Sequence, residues 1–165
     1  MDSIWQGVAQ DFSDVPSLSE VLRILIRMVL AAGLGGVLGV ERARHGKSAG
    51  MRTHMLVALG AALFALVPQQ AGTNLADMSR VVQGIVTGIG FIGAGAILKQ
   101  SDEHQVKGLT TAAGLWLTAA IGMAAGMGRE TTAILGTVLA FAVLAFFHRI
   151  EEKIAGEAAA RSHKA

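Results

Sequence analysis

Few side chains in this chain could do chemistry, and they flank long apolar runs. They are Arg27, Glu41, Arg42, Arg52, Thr53, Asp77, Arg80, Gln83, Thr110 and Thr111. An arginine within an apolar run needs an anion or a wet cavity, so Arg27 marks either a polar path or an internal ion pair. Glu41 and Arg52 fall at helix ends on one side. Arg27, Asp77 and Arg80 fall in the opposite half. Two charge clusters at opposite faces fit a conduction path, or salt bridges that lock a bundle. Their spacing aligns them into no continuous polar stripe, so locking is the stronger reading.

Metal chemistry has weak candidates. Glu41 and Asp77 are carboxylates near helix ends in the first three apolar segments. Magnesium prefers hard oxygen ligands and keeps several waters, so two carboxylates would support only a transient Mg2+ site. His45, His54, His104, His148 and His163 are scattered without paired spacing. Glu41 and His45 stand four apart and could share a cation, although a solvated loop pair is the simpler reading. Cysteine is absent, which removes thiolate sites and disulfides. No resident cofactor is expected. No nucleophile, base and acid share a recognisable spacing, so the chain is read as non-enzymatic. Gly88-Ile-Gly90-Phe-Ile-Gly93 matches G-x-G-x-x-G, but its flanks are one apolar run and Gly108 stands where an acidic residue would bind ribose. Thr87 to Phe91 has a faint likeness to an ion filter, yet a filter needs extended, water-facing backbone.

These residues must be positioned by helices in a membrane. Of 165 residues, 52 % are apolar and 16 % charged, against about 25 % charged in soluble domains. Uncharged runs cover Thr53–Ala76, Val81–Leu98, Gly108–Gly128 and Thr131–His148. Each approaches or exceeds the roughly 20 residues needed to cross a bilayer. The net charge of +2 gives no reason to expect nucleic acid. The acidic N-terminal region does not resemble a signal peptide, so insertion is expected to rely on the first hydrophobic segment.

In chain order, residues 1–17 form an extracytoplasmic segment in which Ile4, Trp5, Val8 and Phe12 could line an interfacial helix. Ser17 stands three before Glu20, a capping-box spacing that starts the first helix near Leu18. That helix runs to about Val40. Arg27 then lies about 13 Å along it, near mid-membrane, and Gly35, Gly36 and Gly39 supply a small-residue step. A polar loop of Glu41–Arg52 follows. A second helix spans about Met51–Val67 and stops near Pro68. Gln69–Ser79 is a polar loop, with Asp77 placed to cap the third helix.

The third helix, Arg80–Leu98, carries Gly84, Gly88, Gly90, Gly93 and Gly95 and reads as the central, tightly packed element. Lys99–Lys107 is a second loop. The fourth helix, about Leu109–Met127, carries Gly114, Thr118, Gly122 and Gly126 at four-residue spacing. This stripe is expected to pack on the glycine flank of the third helix. Trp116 lies inside the fourth helix, away from its ends. The fifth helix, about Thr131–Ile150, is expected to face lipid and to lead into a charged tail, 151–165.

The fold class is therefore all-α, a polytopic bundle of about five spans over residues 18–150. With the N-terminus outside and the C-terminus cytoplasmic, ten Lys and Arg fall inside and four outside or in the first helix. A four-span alternative, with the first segment re-entrant, gives Arg27 no easier partner.

Three blocks carry a family resemblance. The first runs from Arg27 through Gly39-Val-Glu41-Arg42 to Ala49-Gly-Met-Arg52-Thr53-His54. The second is Arg80-Val-Val-Gln83 with Gly88-Ile-Gly-Phe-Ile-Gly-Ala-Gly95. The third is Val106-Lys-Gly108-Leu-Thr-Thr111 through Trp116 to Gly122. In this order and spacing the chain resembles the membrane domain of the MgtC/SapB family. The resemblance implies a bacterial inner-membrane protein tied to magnesium limitation. It implies either a regulator acting on other membrane proteins, the ATP synthase among them, or a magnesium transporter. It also implies partners in the form of membrane lipid, other membrane proteins or further copies of the chain. Longer members add a soluble C-terminal domain, and functions that depend on it, virulence included, are not expected from the residues here.

Overall fold

The computed structural model describes residue 5, residues 17–98 and residues 107–162, with side chains described up to residue 147 apart from that of Leu98. The N-terminal amphipathic face, most of the second loop and the last tail residues lie outside the described residues. Residues 17–98 and 107–162 form five helices, α1 (Leu18–Arg44), α2 (Met51–Gln70), α3 (Leu75–Leu98), α4 (Leu109–Gly126) and α5 (Glu130–Ser162). All five contain a stretch long and apolar enough to cross a membrane.

Ser17 starts α1 as the spacing predicts: its hydroxyl accepts the Glu20 N–H at 3.3 Å. Other boundaries move. α1 continues past Val40 to Arg44, because the charges at its end are paired within the helix itself. α2 passes through Pro68 to Gln70. Proline in the last turn removes one donor and leaves the turn to close through Ala71 N–H on the Val67 carbonyl at 3.1 Å. α3 begins at Leu75, before Asp77, and Asn74 does the capping: its Oδ1 accepts the Asp77 N–H at 3.0 Å. The α2–α3 connection is therefore shorter than the expected Gln69–Ser79 loop. The backbone of α5 stays helical into the tail, as far as Ser162.

The centre of the bundle is α4, not α3. α4 packs against all four other helices, whereas α3 touches only α4 and, lightly, α2. Half of the α4 span is buried, against 11 % of the α3 span. The expected meeting of two glycine stripes does not occur. A Cβ built on Gly84, Gly88, Gly90 or Gly95 meets nothing within 4 Å. Of the α3 glycines only Gly93 faces α4, its built Cβ 3.5 Å from that of Ala112. The α3–α4 contact runs instead through Ile89 of α3, packed with Leu115 and Ala119 of α4.

The α4 stripe meets α2. A Cβ on Gly122 would stand 2.6 Å from the Ala58 Cα, and one on Gly126 would stand 2.7 Å from the Ala62 Cα. α1 closes on α2 in the same way: Gly35 lies against His54 and Ala58, and Gly39 against Gly50 and Met51. Thus α2, whose Ala58, Ala61, Ala62 and Ala65 are all buried, is the smooth rod on which both small-residue stripes rest. One core cluster, Ala31, Leu38, Ala62, Ile121, Ala125, Ala133 and Ala140, joins α1, α2, α4 and α5. The buried hydroxyls of Thr118 and Thr137 each donate to the carbonyl four residues back at 2.8 Å, so they add no unmet polarity to it.

Candidate functional site

The close approach of α1 and α2 sets the geometry at their shared end. Gly35 and Gly39 let the last turns of α1 lie against the first turn of α2. This buries Glu41 and Arg42, which are 4 % and 2 % exposed. Arg42 donates from Nε to Glu41 Oε2 at 2.5 Å and from Nη2 to Oε1 at 3.0 Å. The fork of the guanidinium spans both carboxylate oxygens, the strongest arrangement open to such a pair. His45 Nδ1 lies 3.0 Å from Glu41 Oε1 and 2.9 Å from the Glu41 carbonyl oxygen. The solvated loop pair expected of Glu41 and His45 is therefore wrong for Glu41, which sits inside the protein.

His54 completes this end. It is fully buried, and its Nδ1 lies 3.0 Å from the Gly50 carbonyl oxygen. Its Nε2 is buried with no hydrogen-bond partner among the described residues. That nitrogen faces α4, where a Cβ on Gly114 would stand 3.7 Å away. Thr111, also buried, lies one turn before Gly114 on the same helix face. Nothing in the sequence pairs His54 with a second ligand at metal-binding spacing. The available signal was its position four residues after Gly50, near the start of the uncharged run Thr53–Ala76.

The remaining candidates lie elsewhere. Arg52 and Thr53 stand at the start of α2 on the rim of an apolar groove between α2 and α3. Thr110 is exposed, as is Gln83. Asp77 and Arg80 are exposed and 3.9 Å apart on α3, and Asn74 Nδ2 donates to Asp77 Oδ2 at 2.8 Å. Glu41 and Asp77, the two weak metal candidates, sit at opposite ends of α2, separated by about 30 Å of helix. Among the described residues no three His, Asp or Glu converge as a metal site would require.

Arg27 does not lie midway along the bundle, where its place nine residues into α1 was expected to put it. Its Nε donates to Glu130 Oε1 at 3.3 Å, at the α4–α5 turn, and its guanidinium packs over Gly128. The packing of Gly35 and Gly39 on α2 sets the register of α1, so the helix overhangs the turn by residues 18–26. Arg27 thus lies at the bundle's edge. It does not join Asp77 and Arg80, because α3 touches neither α1 nor α5.

A profile of the MgtC family matches residues 28–153. The chain belongs to the MgtC family. Among the relatives of this MgtC-family chain is the "Putative magnesium transporter YhiD" of Escherichia coli strain K12. It is 44 % identical over 133 residues, which are 76 % of this chain and 61 % of YhiD. SrpB of Synechococcus elongatus is 43 % identical over 141 residues, 79 % of this chain and 78 % of SrpB. MgtC of Salmonella typhimurium strain LT2 is 39 % identical over 115 residues, 70 % of this chain and 48 % of MgtC. The chain thus spans about three fifths of YhiD and about half of MgtC. No solved structure matches it.

Proposed function

We propose that this multi-pass membrane protein serves magnesium homeostasis in the bacterial inner membrane as a non-enzymatic regulator of other membrane proteins. The observation that carries this reading is the state of Glu41. Both of its carboxylate oxygens lie on Arg42, with His45 beside them, so its charge is matched inside the protein and not offered to a passing cation. Between this end and the Arg27–Glu130 pair lies a packed layer of Ala31, Leu38, Ala62 and Ala125. Such a layer suits a locked bundle that acts through its outer faces. The link to magnesium is supported by the name of the relative YhiD. The charge bias supports the N-terminus outside and the C-terminus in the cytoplasm.

The name of YhiD favours a second reading, passage of Mg2+. Purified protein in liposomes loaded with a magnesium-sensitive dye separates the two. Under the regulator reading, influx equals that of empty liposomes. Influx above that level would establish transport.

A further inference from the structure

α2 and α3 diverge along their length and leave a groove of about 880 Å³ between them, floored by Ala119 of α4. It runs from Arg52 and Thr53 at one end to Pro68 and Val81 at the other. A Cβ built on Gly60, Gly84 or Gly88 along its walls meets nothing within 4 Å. Both walls therefore stand back by at least an atom's width. Left empty, these walls would forgo the dispersion contacts that packed surfaces make. Leu56 and Phe64 on its edge are 68 % and 65 % exposed, so the groove opens sideways toward the surrounding bilayer.

The chemistry along the groove is graded. Its walls are apolar except at one end, where a guanidinium and a hydroxyl stand together. Arg52 is exposed and has no hydrogen bond or ion pair with another described residue. The N-terminus of α2 lies there too, and no side chain caps it, so its free N–H groups add positive potential. A long apolar slot that ends in a cation matches a molecule with a hydrocarbon body and an anionic head. A guanidinium binds two oxygens of one phosphodiester through parallel N–H groups. A second copy of the chain fits less well. Two-fold packing through this face would offer Arg52 no counter-charge, because the groove lining holds no carboxylate.

We propose that the α2–α3 groove is a binding site for an anionic phospholipid from the leaflet on the Arg52 side. The acyl chains lie along Gly84 and Gly88, and the phosphate rests on Arg52 and Thr53. This site is independent of whether the chain regulates or transports.

Native mass spectrometry of the full chain in detergent, titrated with phosphatidylglycerol or phosphatidylcholine, tests it. The wild type retains phosphatidylglycerol in preference to phosphatidylcholine. Arg52→Gln, an exposed substitution that leaves the fold alone, lowers phosphatidylglycerol retention about tenfold, the effect of one lost charge-assisted contact. Gly84→Leu with Gly88→Leu fills the slot and lowers retention of both lipids, with an unchanged melting temperature. Equal phosphatidylglycerol retention by the wild type and both variants overturns the proposal. So does a dimer that Gly84→Leu with Gly88→Leu abolishes without altering lipid retention, which would give the groove to a second copy.

Discussion

Gly122 of α4 lies so near Ala58 of α2 that a methyl group on it would stand 2.6 Å from the Ala58 Cα and 2.7 Å from its carbonyl carbon. The obstruction is backbone, which cannot swing aside as a side chain can. Four residues on, Gly126 meets Ala62 in the same way. In a bilayer, where lipid is as apolar as leucine, this proximity of backbones is what holds two helices together.

Gly122→Leu should therefore separate α2 from α4. Overpacking costs roughly 1–3 kcal/mol where side chains can adjust, and the loss here should reach or exceed the top of that range. Gly88→Leu should leave the fold intact, because nothing stands where its side chain would go. Melting temperatures of the two variants in detergent check the contrast. Equal losses would show that α3 is held as tightly as α4.

Removing one member of the buried Glu41–Arg42 pair should be severe. Glu41→Gln leaves a guanidinium that is 2 % exposed with no counter-charge, and such a loss costs about 3–5 kcal/mol. Replacing both by apolar groups, as in Glu41→Leu with Arg42→Met, should recover most of the stability, since neither side chain then needs a partner. A double-mutant cycle on thermal unfolding measures the coupling.

At the opposite end the pair is weaker. Arg27 and Glu130 are 21 % and 44 % exposed, and solvent screening holds such a pair below about 1 kcal/mol. Arg27→Leu should lower stability only slightly. Gly128→Ala should do more. Its φ of 73° falls in the left-handed region, which costs other residues roughly 1–2 kcal/mol, and the new methyl would displace the Arg27 guanidinium. Added salt should erase the Arg27→Leu effect and leave that of Gly128→Ala.

A reporter fused after Ala165 should read cytoplasmic, and one inserted after Gly72 periplasmic. The opposite pattern would invert the assignment made from the distribution of Lys and Arg.

The five spans were legible because run length and absence of charge follow directly from bilayer thickness. The stripes on α1 and α4 were legible from the four-residue spacing of Gly35 and Gly39, and of Gly114, Thr118, Gly122 and Gly126. Their partner was not. Spacing shows that a face is smooth, but not which helix meets it. The α3 glycines are the densest in the chain, yet most look onto open space, while the receiving surface is made of ordinary alanines on α2. Glycine density records missing side chains, and close packing needs a second smooth surface as well. The same limit hid the charged sites. Glu41 and Arg42 looked like loop residues because charge is usually solvated, but as adjacent, opposite charges they neutralise each other and let α1 continue. The partner of Arg27 lies 103 residues away, beyond the reach of any local pattern.

The hub helix is also the shortest of the five described helices. α4 has 18 residues and α1 has 27, or about 27 Å against about 40 Å. Leu22, Leu25 and Ile26 lie uncovered on the overhanging turns of α1, so their oily surface stands above the plane in which α4 ends. Lipid must climb on that flank or α1 must lean, and either response bends the leaflet around one side of the protein. Membrane thickness then acts on the tilt of α1, and through Gly35 and Gly39 on the packed end that holds Glu41.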